Sequence, residues 1–420
     1  MRAKQLFGVL LFVLVLGAAW TSAETSAFAT EGPVPLLKRG QPVDWWFSFK
    51  FNAATFPGCG GGAQRVCIFG GQVRQYSAFG QQFVYASSDN HSLQKGNGCA
   101  GDSVNDPLGA TFDQVYNGAY FYVVWNDQLY DDPKISGCTK ECSGPWGHSK
   151  GLIAWDGAGN GFVLQVSTPS WPAAGDKAFP RRTDGNTLGC VIDNDVLVSQ
   201  HFFALRLNKD DLLKALHALQ NASVVTDPGN RQIVNNGGPA DIQAIVRTLG
   251  FKSPSKTYLK EQLSNGVMLI SKPSRLNVPP WQLVSAVLDG VSLRTANWWA
   301  TPAIYTTTPS MNIACWDSSL GKPGGVEIAI TGRWAGQTFA LTGGGGPNHN
   351  HAKLGVSISG EHSYVIFGDM NQQGTALAGR SCSSSQNGRG GLFFVLDDPA
   401  LHRSVSDLIT GDTAPTGPPH

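Results

Sequence analysis

DLLKALHALQ, residues 211–220, sets Leu212, Leu213, Leu216 and Leu219 on one face of a helix. PADIQAIVRTL, residues 239–249, repeats the pattern with Ile242, Ile245, Val246 and Leu249, and Gly250 follows as a stop. Residues 280–288 predict a third helix, opened by proline. On both sides of this helical middle the sequence reads as strand. Before it, VDWWFSFKF (43–51), AYFYVVW (119–125) and GFVLQV (161–166) are rich in aromatic and β-branched residues. After it, strands are predicted at 267–270, 326–330, 364–367 and 392–396. Strands, helices and strands in that order predict two α/β lobes joined by a helical connection, rather than one long sandwich. The first lobe is placed at 40–207, the connecting region at 208–260 and the second lobe at 261–400. The Pro/Gly-rich stretch 413–420 reads as a flexible tail.

Composition narrows the class. With 420 residues, 41% hydrophobic and 15% charged, the chain can bury a large core and has far too little charge for a coiled coil or a disordered protein. The formal net charge of +1 excludes a bulk polycation, so any nucleic acid must be held by a local basic cleft. Arg2 and Lys4, the apolar run 6–16 and the small residues after it read as a signal peptide over 1–23, with cleavage as late as 29. That run is shorter than the roughly 20 residues of a membrane span, and no later segment qualifies. An exported protein is expected: periplasmic or secreted in a bacterium, lysosomal in an animal. Cysteines 59, 67, 99, 138, 142, 190, 315 and 382 are even in number and lack paired Cys-x-x-Cys units, which favours disulfides over a structural zinc site. Their connectivity stays open.

Of nine histidines, two have lysine two places later, and one falls in each lobe: His148-Ser149-Lys150 and His351-Ala352-Lys353. On extended backbone, residues i and i+2 point to the same side. The imidazole can then attack or transfer a proton while the ammonium neutralises an anionic oxygen. Two such units facing each other would surround one phosphate with two imidazoles and two cations. A metal site at His349 and His351 lacks neighbouring acids or cysteines. The run Gly343–Gly346 lacks the Lys-Ser/Thr of a phosphate loop and reads as a plain loop. Trp45, Trp46, Trp298 and Trp299 read as packing, His217 as packing or exposed, and Arg389 as solvated.

The segments GQPVDWWFSFK (40–50), GHSKGLIAWD (147–156), VSTPSWP (166–172), TDGNTLGC (183–190), NHAKL (350–354), FGDMNQ (367–372) and GRGGLFF (388–394) resemble the deoxyribonuclease II family, an offshoot of the phospholipase D superfamily. The likeness runs over roughly 40–396. It implies two phospholipase-D-like lobes forming a pseudo-dimer around a central cleft. It further implies a metal-independent acid endonuclease with DNA as substrate and no cofactor. Such an enzyme works through a phosphohistidine and leaves 3′-phosphate and 5′-hydroxyl ends. The resemblance assigns catalysis to His148, Lys150, His351 and Lys353. Asn371, in GDMN, resembles the superfamily's phosphate-contacting asparagine, and Ser167 is a further candidate for contact or support. The superfamily's acid five places after lysine is replaced by Trp155 and Ile358, which leaves Asp156, one place later, as the expected partner of His148. Asn350 stands where family members often carry Asp. Two alternatives are a non-catalytic exported binding module, which would not need both His-x-Lys units, and a phospholipase-D-like phosphodiesterase, which the missing acids disfavour.

Overall fold

Phe47 and Phe203 face each other on neighbouring strands, and Phe367 stacks on both rings with centroids 4.5 Å away. These rings join two large sheets in a computed structural model that describes residues 32–56, 69, 82–130, 132–135, 137–138, 141–182, 185–186, 188–189, 197–377 and 381–417. Each buried phenylalanine contributes about 1.5–3 kcal/mol through area removed from water, so this seam is a major source of cohesion.

The first sheet has eight antiparallel strands. Across it lie Val234–Asn235, Phe121–Asn126, Lys150–Trp155, Gly161–Val166, Gln200–Leu207, Trp45–Lys50, Phe83–Ser87 and Asn90–Lys95. The second has seven: Leu259–Gln262, Met268–Lys272, Gly391–Asp397, Tyr364–Gly368, Leu354–Ser357, Leu293–Ala296 and Val326–Ile328. Its only parallel pairing joins Leu293–Ala296 to Val326–Ile328. Five α-helices occur among the described residues: α1 (Pro107–Tyr116), α2 (Lys209–Ala222), α3 (Ala240–Val246), α4 (Pro280–Val287) and α5 (Pro399–Leu408). The expected mixed α/β class is thus observed, with the three expected helices present as α2, α3 and α4.

The two sheets share an order of connection. In the first, strands starting at 121, 150, 161 and 200 lie side by side in chain order, followed by the earlier strand 45–50. In the second, strands starting at 293, 354, 364 and 391 do the same, followed by the earlier strand 268–272. A helix precedes the first of the four in each case (α1, α4), and another follows the last (α2, α5).

The middle segment is less separate than its helical pattern suggests. Val234–Asn235 pairs with Phe121–Asn126 as the edge of the first sheet. α2 packs against Gly161–Val166 and Gln200–Leu207, and also against Met268–Lys272 and Gly391–Asp397. Its leucine face explains this: Leu212, Leu216 and Leu219 are buried in the core that spans both sheets. Residues from Gly32 onward form one compact unit. The tail is tied down further than its composition suggests. The Ala414 amide donates to the Ile328 carbonyl at 2.8 Å, and the Thr306 amide donates to the Pro415 carbonyl at 3.2 Å.

Disulfides join Cys138 to Cys142 and Cys315 to Cys382, and Cys99 is also disulfide-bonded. The expected signal peptide, the three remaining cysteines and residues 418–420 lie outside the described residues. No helix among the described residues is long and apolar enough to cross a membrane.

Candidate active site

Both His-x-Lys units lie at the start of a strand in the middle of a sheet, and each is held by the other half of the chain. The His148 amide donates to the Gly390 carbonyl at 2.8 Å, just before strand Gly391–Asp397. The His351 amide donates to the Ser199 carbonyl at 2.8 Å, just before strand Gln200–Leu207. This exchange brings residues 242 and 152 positions apart in the chain to one place. A Cβ on Gly147 or Gly390 would fall 2.6 or 2.1 Å from the Ala222 carbonyl at the end of α2, so both positions require glycine for the close approach.

His148, His351, Lys353, Asn371, Trp298 and Arg389 line one cavity of about 900 Å³. The His148 Nδ1–H donates to the backbone carbonyl of Asp369 at 2.7 Å. That bond sets the tautomer and leaves Nε2 with its lone pair. A backbone bond to Gly344 likewise favours the protonated form of His351, whose ring packs edge-on to Trp298 at 4.2 Å. Burial and then the Lys150 charge hold His148 well below the usual histidine range, with Asp127 opposing. Burial, Lys353, Lys150 and the His148 ring do the same to His351. Two imidazoles that feel each other's charge titrate as a pair.

The lysines differ in setting. Lys150 is buried and donates to Asp127 Oδ1 at 2.6 Å. Arg389 donates to Asp127 Oδ2 at 2.8 Å and to the Trp146 and Gly147 carbonyls at 3.0 and 2.8 Å. Burial alone would raise the Asp127 pKa, but Lys150 and Arg389 outweigh it and hold the carboxyl well below the carboxylate range. One anion between two cations leaves the cluster with net positive charge beside the cavity. Lys353 donates from Nζ to the His351 carbonyl, and its backbone amide donates to His201 Nδ1 at 3.1 Å.

The other expected residues divide. Asn371 lines the cavity; its Nδ2 donates to Gln373 at 2.9 Å, and its Oδ1 is buried without a protein partner. Ser167 lies behind the site: its hydroxyl donates to Gln200 Oε1 at 2.6 Å and accepts the His201 amide at 2.8 Å. It therefore braces the strand that supports Lys353. Asp156 is not brought to His148. It stands beyond the six-residue strand Lys150–Trp155, about 20 Å of extended chain. There its Oδ1 accepts the Ala158 and Asn160 amides and closes a turn.

Three groups escaped the sequence reading. Asp127 ends the strand AYFYVVW-Asn-Asp, where an acid after an apolar strand was the available signal. Arg389, read as solvated, is buried because its guanidinium meets that acid. Asp369 joins the halves through its side chain as well as its carbonyl. Its carboxyl accepts from Gln165 Nε2 at 2.9 Å, from the Leu392 amide at 3.0 Å and from Ser149. Burial pushes that carboxyl up to about 7 despite these bonds.

Residues 35–226, including the first His-x-Lys, match the family model for deoxyribonuclease II. Over that segment the chain is similar to the deoxyribonuclease II family. Cell-death-related nuclease 7 of Caenorhabditis elegans is 22% identical over 357 residues, covering 83% of this chain and 82% of that protein. Deoxyribonuclease-2-alpha of Sus scrofa is 29% identical over 159 residues, 36% of this chain and 37% of its own. A putative deoxyribonuclease-2 of Burkholderia pseudomallei is 26% identical over 161 residues, 37% of this chain and 40% of its own. No group of three or more His, Cys, Asp or Glu side chains is placed to hold a metal among the described residues.

Proposed function

We propose that this protein is an acid endonuclease that cleaves DNA phosphodiesters without a metal cofactor, through a phosphohistidine intermediate. The observation that carries the reading is the meeting of His148 and His351, from separate sheets, in one cavity with Lys353 and Arg389. One neutral imidazole attacks phosphorus through Nε2, forming a P–N bond as the P–O5′ bond breaks. The other, protonated, gives its proton to the leaving O5′, which departs as a 5′-hydroxyl. That second histidine, now neutral, takes a proton from water as the water oxygen attacks phosphorus and the P–N bond breaks. The product end is a 3′-phosphate. Lys353 and the net-positive Lys150–Asp127–Arg389 cluster stabilise charge on the phosphoryl oxygens. Asn371, which lines the cavity, contacts the substrate.

Acid activity follows from the sign of the shifts. Both histidines are held below their ordinary pKa, so the imidazolium that the leaving group needs forms only in acid. The common strand order of the two sheets supports a pseudo-dimer of phospholipase-D-like lobes, 40–207 and 261–400, with α2 wedged between them. The disulfides accord with export, by way of a signal peptide at 1–23, to an oxidising compartment. A binding module would have no use for two buried imidazoles opening on one cavity.

The test is plasmid cleavage in excess chelator across pH, with His148→Ala and His351→Ala. Cleavage abolished by chelator removes the metal-free mechanism, and full activity in either variant removes its histidine from the reaction. A phosphoryl adduct trapped on one histidine assigns the nucleophile.

A further inference from the structure

A second concavity, about 720 Å³, lies beside α2, whose Lys214, His217 and Gln220 line it. Its described lining carries Lys214, His217, Arg247 and Lys252 against a single acid, Glu261. For a chain whose formal charge is only +1, this is a marked local concentration of positive charge. Beside it stands Phe251, 68% exposed, an apolar ring with no fold-level reason to face water.

Short contacts link this groove to the cavity that holds the histidines. Gly147, next to His148, donates its amide to the Ser223 carbonyl at 2.9 Å. The Ser223 hydroxyl in turn accepts the Ser253 amide at 2.9 Å, and Ser253 lines the groove. Trp146 bridges the two in a second way. The Lys252 ammonium lies 5.1 Å from its ring centroid, while its carbonyl takes Arg389 Nε at 3.0 Å, and Arg389 lines the histidine cavity. Arg389 and Lys252 thus meet the same Trp146, one at its carbonyl and the other over its ring, and Arg247 lines the groove with Lys252.

We propose that this groove is a second substrate subsite, where the phosphodiester backbone flanking the cleaved bond lies on Arg247 and Lys252 and a base or sugar rests on Phe251. The inference rests on the nuclease reading for the identity of its ligand. Charge complementarity selects the occupant: a polyanion with apolar rings along it matches cations interleaved with an exposed aromatic. Lys214 already donates to the Gln262 carbonyl at 2.7 Å, so Arg247 and Lys252, both exposed, carry most of the contact.

The experiment compares Arg247→Glu/Lys252→Glu with a control of equal charge change, Lys38→Glu/Lys322→Glu, at exposed positions elsewhere. Binding of a long fluorescent duplex is read by anisotropy over a salt series, and kcat and KM are read on the same duplex. Two lost phosphate contacts lower the log Kd against log salt slope by about 2, and Kd rises on the order of tenfold at moderate salt. KM rises in step while kcat holds. The neutral pair Arg247→Gln/Lys252→Gln, which leaves the surface less perturbed, shows the same slope change. A Kd and slope equal to the control in both variants overturn the subsite. If the unaltered protein binds the duplex and the groove variants lose that binding, yet no cleavage occurs at any pH, the subsite stands and the nuclease reading falls.

Discussion

Asp369→Asn isolates one buried proton. The Asp369 carboxyl is fully enclosed, accepts from Gln165, Leu392 and Ser149, and is raised by burial from 3.8 to about 7. Between those two pH values the folded protein holds a proton there that the unfolded chain has released. Stability from this group is therefore complete below pH 3.8 and is lost as pH rises towards 7. A shift of about three units amounts to about 4 kcal/mol across that window. Asparagine has nearly the same shape and keeps an acceptor for the Leu392 amide. Its new amide can donate to Gln165 Oε1, which has no partner in the native site. The variant lacks the titration, so its stability relative to the unaltered protein should climb by about 4 kcal/mol from pH 4 to pH 7. Urea unfolding followed by circular dichroism at several pH values measures this directly. Taking the difference between the two proteins cancels the opposing contribution of the buried histidines, which favour the neutral form. A difference that stays flat within about 1 kcal/mol over the window would refute the argument, because the carboxylate would then be ionised and satisfied at neutral pH.

Other outcomes follow from the same geometry. On the proposed mechanism His148→Ala and His351→Ala each lower kcat by about 10⁴-fold, since each would remove the nucleophile or the proton donor; single-turnover cleavage reads this. Asp127→Asn leaves Lys150 and Arg389 buried without their anion and costs about 3–5 kcal/mol in chemical denaturation. It also removes the one anion that raises the His148 pKa, so the limb of the pH–rate profile that titrates His148 moves to lower pH. Cys315→Ser/Cys382→Ser opens a loop of 67 residues and costs about 4 kcal/mol, whereas opening Cys138–Cys142, four apart, costs about 2, as unfolding under non-reducing conditions would show. Cleavage by the unaltered protein falls away as pH rises to neutral; an optimum above pH 7 would contradict the depressed histidines.

The local pattern of residues was enough for the elements whose side chains meet water on one face or none. The leucines of α2 and the apolar run 161–166 carry their own periodicity, and the structure has both where expected. Other elements carry a weaker or purely capping signal. α1 begins with Asp106 accepting the Gly109 amide and with Pro107 in its first turn, a start that a polar cap and a proline announce. Strand Asn90–Lys95 is polar and half exposed, and it forms because Phe83–Ser87 offers it an edge.

Two His-x-Lys units, their spacing and their family likeness could be read from the chain alone, because each unit is three consecutive residues. What orients them could not. The Asp369 carbonyl that fixes His148 lies 221 residues away, and the Arg389–Asp127 pair spans 262. A backbone carbonyl is the same group at every position, and an arginine among glycines resembles any solvated arginine until an acid meets it. Asp156, close in sequence, was the natural local candidate, yet the rise of an extended strand carries it away from His148. Only the packing of one sheet on the other, sealed by Phe47, Phe203 and Phe367, decides which carbonyls and charges surround the two imidazoles.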